Sequence, residues 1–161
     1  MRRSNREVTG FDDKVEIIRN CDVCRLAMNG EEVPYILPLN FGMEVVDGKV
    51  VLYFHGAKEG TKYEYLRKNP LVAFEMDCGH ELVFSHERKY CTMIYSSVIG
   101  KGLVEIVPDE EKIHGLNLLL EHYHPGGFPL NMDSVPETLV MKMTVLEMTA
   151  KSNRSKKSEF E

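Results

Sequence analysis

The chain has 161 residues, 43% of them hydrophobic and 28% charged, which is one ordinary domain able to bury about 70% of its unfolded surface without a disulfide or metal staple. No apolar run approaches the roughly 20 residues of a spanning helix, and the basic opening MRRSNREVTG lacks the apolar stretch of a secretory leader, so a cytoplasmic protein with no membrane partner is expected. The net charge is −5, yet residues 1–10 and 151–161 each carry +2 and the middle carries −9, which argues against a nucleic-acid groove on the body of the fold.

A first helix is expected from about Asp12 to Asn20 behind the cap TGFD, with Phe11, Val15 and Ile18 on one face. CRLAMNG reads as a strand ending in an Asn29-Gly30 turn. VPYILPLNFGMEVVDGKVVLYFHG reads as two strands joined at Asp47-Gly48. Pro34 and Pro38 mark the first of these as edge or bulged, because proline donates nothing to a ladder. Thr61 caps a short helix with Tyr65 and Leu66 toward the core, and Asn69-Pro70 stops it. LVAFEMDC is a strand, GHELVFSHERKYC a loop or weak strand, and TMIYSSVIGKGLVEIV a long strand bent at Gly100 and Gly102. PDEEKIHGLNLLLEHYH is the strongest helix, with Ile113, Leu116, Leu120 and Tyr123 on one stripe. After the loop PGGFPLNMDSVPE, TLVMKMTVLEM forms the last strand. Hairpin turns dominate and no βαβ unit with a phosphate-binding glycine fingerprint is present. The expected fold is mostly β with peripheral helices, an antiparallel sheet closed into a small barrel. Residues 1–151 form the single domain, and 152–161 a basic flexible tail.

The chemistry concentrates after the apolar run Val51–Phe54, where HGAKEGTK places His55, Gly56, Lys58, Gly60, Thr61 and Lys62 together. Glycine lets backbone N–H groups approach an oxyanion. Thr61 adds a hydroxyl, Lys62 a charge, and the start of the short helix free N–H groups and a positive dipole end. These features describe a phosphate seat; the same residues also describe a solvated turn. In PYILPLNFG, Asn40 can hydrogen-bond the edge of a planar ring or simply begin the bend before Gly42. Of the adjacent Ser96 and Ser97 in a buried strand, one must point inward. Cys21 and Cys24 have C-x-x-C spacing, but neither CGH at Cys78 nor Cys91 supplies a second pair, so the cysteines read as core residues and no metal is expected. His122 and His124, beside Glu121, suit a helix C-terminus.

CRLAM, PYILPLNFG, LYFHGAKEGTK, NPLVAFEMDC and SSVIGKG, in that order, resemble the nitroimidazole-resistance family, among the pyridoxamine 5′-phosphate oxidase-like flavin-binding split barrels. The resemblance covers roughly residues 1–151. It implies an antiparallel split β-barrel homodimer with FMN at the subunit interface, or FAD in some members. Carried over, Thr61 and Lys62 hold the phosphate, with His55 and Gly56 near the phosphate or ring. Pro38, Leu39 and Asn40 line the isoalloxazine, Ser97 reaches the cofactor, and Arg25 contributes on the phosphate side. The oxidases themselves close their site with C-terminal tryptophan and arginine residues, and this chain has no tryptophan. The implied function is a flavin-dependent oxidoreductase passing electrons to a nitroaromatic or another small planar acceptor, with His55 as the catalytic candidate and NAD(P)H as donor. The alternative is a carrier or sensor that holds flavin or haem without turnover.

Overall fold

The apolar run that precedes the glycine-rich turn becomes the centre of the molecule. In the computed structural model, which describes residues 4–86 and 89–153, Lys49–Ala57 is strand β5 of an eight-stranded antiparallel sheet. The other strands are β1 (Glu7–Val8), β2 (Cys24–Met28), β3 (Tyr35–Leu39), β4 (Gly42–Val46), β6 (Leu71–Ser85), β7 (Tyr90–Ile106) and β8 (Thr138–Ser152). Their order is β3-β2-β6-β7-β8-β5-β4, with β1 paired to β8. Alternation along β5 feeds two cores. Val50, Leu52 and Phe54 join the main cluster, and Val51 and Tyr53 join a smaller one with Val107, Leu116 and Val140. Both faces being covered, β5 is buried continuously from Val50 to Phe54.

The expected pair of strands between Val33 and Gly56 is in fact three. Asp47 and Gly48 form the predicted tight turn, both at positive φ. The chain also breaks at Asn40-Phe41, which carries it from one edge of the sheet, β3, to the other, β4. Three peptide steps span at most about 11 Å, so the sheet must curl until its edges are near neighbours. The described ladders do not join them, and the expected closed barrel is therefore not formed. Pro38 sits on the edge strand β3, as its missing donor requires. Met28 and Tyr35 are joined by residues 29–34, a longer connection than the expected Asn29-Gly30 turn.

GHELVFSHERKYC is largely strand. The bulge between Cys78 and Glu81, with Gly79 at φ 66, interrupts the alternation that would reveal it. Beyond the bulge, among the described residues, the strand pairing of β6 and β7 is with each other, as an arm. Asn153 anchors its base. It is buried, accepts from the Tyr95 N–H (2.7 Å), and donates its amide to the Met93 carbonyl (2.7 Å). These contacts tie residue 153 to β7. The rest of the basic tail lies outside the described residues. The second register shift, between Lys101 and Gly102, is where the two glycines predict a bend.

Three helices flank the sheet: α1 (Phe11–Arg19), α2 (Thr61–Lys68) and α3 (Lys112–Tyr123). The N-cap of α1 is Gly10 and that of α2 is Gly60, neither with a side-chain cap bond, so Thr61 opens α2 rather than capping it. Its buried residue is Tyr63, with Tyr65 and Leu66 only partly covered. On α3 the buried face is Lys112, Gly115, Leu116 and Leu119, and Ile113 is exposed. The expected stripe was rotated because it ignored glycine. A Cβ on Gly115 would meet the Tyr53 ring at 2.7 Å, and one on Gly42 would meet the Leu118–Leu119 backbone at 2.4 Å. The helix therefore lies directly on β4 and β5. Among the described residues no helix is long and apolar enough to cross a membrane.

Gly42→Ala forces backbone against backbone, which side-chain adjustment cannot relieve. It is expected to lower unfolding free energy by about 1–3 kcal/mol in urea titration, with an exposed control such as Lys49→Ala near neutral.

Candidate functional site

Alternation at the end of β5 sends His55 to the α3 side and Gly56 to the α2 side. The predicted residues therefore form two back-to-back features around one strand end. On the α2 side, the Lys62 ammonium lies 3.1 Å from where a Gly56 Cβ would stand and 3.9 Å from the corresponding point on Gly60. It also sits 4.4 Å from the centre of the Tyr63 ring. The Tyr63 hydroxyl donates to the Ala57 carbonyl (2.6 Å), which ties α2 to the strand end. The two glycines thus make the space that the lysine fills. Lys58, by contrast, pairs with Glu137 (3.4 Å). Among the described residues no carboxylate pairs with Lys62, so its charge remains available, flanked by Thr61 and the open N–H groups of the first turn of α2.

On the other side, His55 and Asn40 line one cavity of about 540 Å³, a size that suits a small planar ligand. Tyr123, His124, Ser134 and Thr138 supply its other polar groups, and Leu116, Leu119, Leu130 and Val135 most of its apolar wall. Among the described lining residues none is Asp, Glu, Lys or Arg, so these walls favour an uncharged, flat ligand. Its Asn40 wall is fixed by one carbonyl. The Asp22 oxygen accepts from the Tyr123 hydroxyl (2.7 Å) and, more weakly, from the Asn40 amide (3.5 Å). The Phe41 N–H donates to the Tyr123 oxygen (3.1 Å), and His122 Nε2 donates to the Cys21 carbonyl (2.8 Å). His122 therefore fastens the end of α3, as a structural histidine. Among the described residues no cluster of His, Cys, Asp and Glu could hold a metal. Tyr123 and Asp22 were not foreseen as wall residues, because only tertiary folding brings them to Asn40.

Arg25, Pro38 and Ser97 lie elsewhere. Arg25 points away from the core and pairs with Glu75 (3.0 Å) and Asp77 (2.6 Å). Burial, then the neighbouring Asp77, pushes Glu75 up despite Arg25. A phosphate at Arg25 would have to displace these two carboxylates. Pro38 is opposite Arg25, and Ser97 is opposite Asp77 and Lys151. Leu39 packs on the main core, and Ser96 is the inward serine, bonded to the Ser152 hydroxyl (2.9 Å). His55 stands opposite Val140 and Ser97 opposite Lys151 on β8. Along the strand these positions are about 36 Å apart. One copy therefore brings Asn40, His55, Gly56, Thr61 and Lys62 to one end, and leaves Arg25, Pro38 and Ser97 on an outward face that also exposes Ile36 and Ile99.

Residues 12–152 match the pyridoxamine 5′-phosphate oxidase family. The chain belongs to that family. No curated protein matches it in sequence. Among solved structures it is similar to a candidate 5-nitroimidazole antibiotic resistance protein of Bacteroides thetaiotaomicron, at 33% identity over 90% of this chain and 85% of that one, with a TM-score of 0.77. Two structures share the fold at 17% identity. They are the FAD and heme binding protein of Mycobacterium smegmatis (92% and 74% covered, TM-score 0.77) and the flavocytochrome Anf3 of Azotobacter vinelandii (95% and 72%, TM-score 0.75).

The α3 wall of the cavity is held to β4 by Glu44. Its carboxylate accepts from Tyr53 (2.7 Å) and meets His114 Nε2 at 3.1 Å. Burial alone would raise the Glu44 carboxyl, but the Tyr53 and His114 hydrogen bonds outweigh it and the net shift is downward. A depressed carboxylate stabilises fully above its unfolded value, about 4.3, and loses that contribution as pH falls through its lower folded value. Melting temperatures measured across the acid range should thus fall more steeply in wild type than in Glu44→Gln.

Proposed function

We propose that the chain is a flavin-dependent oxidoreductase which holds FMN, or FAD, and reduces a nitroaromatic or similar small planar acceptor. The observation that carries this reading is the uncompensated Lys62 ammonium lodged between Gly56 and Gly60, back to back with a neutral cavity that presents His55 and Asn40. Those residues fit the group. Lys62, the Thr61 hydroxyl and the first N–H groups of α2 hold its terminal phosphate. When bound, the flavin supplies the electrons, taken from a reduced nicotinamide that docks transiently. The chain's own residues orient and exclude. Asn40 hydrogen-bonds a ring edge, the leucine wall keeps water from the acceptor, and a His55 ring nitrogen delivers a proton to the oxygen being reduced.

The separation of Ser97 from His55 along β8 supports a homodimer with the cofactor between copies. Ser97, Pro38 and Arg25 of one protomer then face the Lys62 end of its partner, and the exposed Ile36 and Ile99 become covered. The assembly is read as cytoplasmic. A second reading, a haem carrier without turnover, is favoured by one observation, that His55 and His124 line the same cavity. The visible spectrum of the purified protein separates the two.

Lys62→Ala should weaken FMN binding by about 1.5–3 kcal/mol, the worth of a charge-assisted hydrogen bond, in a fluorescence titration. Equal affinity in the variant would place the phosphate elsewhere. His55→Phe should keep the flavin and lower nitroaromatic turnover by about 10²-fold or more, read by flavin reoxidation under anaerobic mixing. Unchanged turnover would remove His55 from the chemistry.

A further inference from the structure

We propose that Cys21 and Cys78 are a redox pair which a hydroperoxide converts into an intrachain disulfide. The C-x-x-C spacing points to Cys21 and Cys24, but the fold separates that pair by function. Cys24 lies on β2 and shares the main core with Cys21 and Cys78, but its sulfur makes no bond to the carbonyl that the other two share. Cys21, just past α1, instead shares a backbone acceptor with Cys78 at the bulge of β6. Both thiols converge on the Ile17 carbonyl, Cys21 Sγ at 3.2 Å and Cys78 Sγ at 3.8 Å.

Access comes from two sides. Cys78 borders a cavity of about 450 Å³ beside Ile17 and Ser96, and a second of about 510 Å³ beside Asp77 and His80. Cys21 borders the second as well. A small peroxide thus reaches Cys78, the shared member, first. Its sulfur attacks the O–O bond, which breaks to leave a sulfenic acid on Cys78, and the departing oxygen takes the Cys78 thiol proton and leaves as the alcohol or water. Cys21 sulfur then displaces the hydroxyl, the S–S bond forms, and the Cys21 proton leaves with that hydroxyl as water. Two electrons pass from the sulfurs to the peroxide, and the balance closes with no other reactant.

Burial, aided by Cys78 and by the carboxylates of Asp77 and Glu75, pushes the Cys21 thiol well up. A scarce thiolate makes oxidation slow. The same destabilised thiolate makes the reduced pair a poor leaving state, so the disulfide, once made, resists reduction. Formation would be felt at the cavity. The Cys21 carbonyl accepts from His122, and the next carbonyl, Asp22, accepts from Tyr123 and Asn40. A disulfide at Cys21 therefore acts on the residue whose carbonyl holds His122, next to the one that holds the wall.

The test does not depend on flavin or on turnover. Full-length Cys91→Ser, which removes the exposed thiol, is treated with hydrogen peroxide, alkylated, digested without reductant and mapped by mass spectrometry. The expected result is a linked peptide pair joining Cys21 to Cys78, two hydrogens lighter than the thiols, with Cys24 alkylated after unfolding. The link should persist in millimolar glutathione and disappear with a stronger dithiol reductant. A Cys21–Cys24 link, sulfinic acid on Cys78 beside an intact Cys21 thiol, or three unmodified thiols would each overturn the proposal. Cys78→Ala, checked for folding by circular dichroism, should leave Cys21 unlinked.

Discussion

The structure depends on β5 being covered on both faces. A strand buried from Val50 to Phe54, with one core on one side and α3 on the other, cannot slide or rotate without turning every apolar side chain to the wrong face. Its end is therefore a fixed point. The residues after it inherit that rigidity: His55 faces one way, Gly56 the other, and the chain turns at once into α2. A site built on such a strand end is held more firmly than one on a free loop, which is what close placement of a phosphate and of a proton donor requires.

The second constraint is the passage through Asn40-Phe41. Two residues carry the chain from one edge of the sheet to the other, so the sheet has to curl, and the crossing point lies against the end of α3. Asn40 is then both the hinge of the fold and a wall of the cavity. The Asp22 carbonyl and the Tyr123 hydroxyl hold it in place. Gly42 and Gly115 permit the close approach of helix and strand that closes the wall. Folding and site-building are here one set of contacts.

How much of this the sequence shows follows from range. Features written in a few adjacent residues are legible: the Asp47-Gly48 turn, the edge character imposed by Pro38, the helix stop at Asn69-Pro70, and the lysine and glycines at the end of β5. Features set by distant partners are not. A bend at Asn40 is readable before Gly42, but not that it carries the chain to the opposite edge of the sheet. The arm of β6 hides because the bulge at Gly79 resets its alternation. The buried face of α3 is centred on a glycine, which no hydrophobic count registers. The pairing of Arg25 with Glu75 and Asp77, about fifty residues on, shows only in the fold. The Ile17 carbonyl that Cys21 and Cys78 share joins a helix end to a strand bulge, and the local C-x-x-C spacing points away from it.

The central claim is that the turn after β5 grips the phosphoryl end of a flavin. It is tested most directly by denaturing the protein as purified and identifying the released small molecule by mass. The account requires FMN or FAD, near one per chain. A protein that releases no flavin, and takes none up when titrated with FMN and FAD, would contradict it.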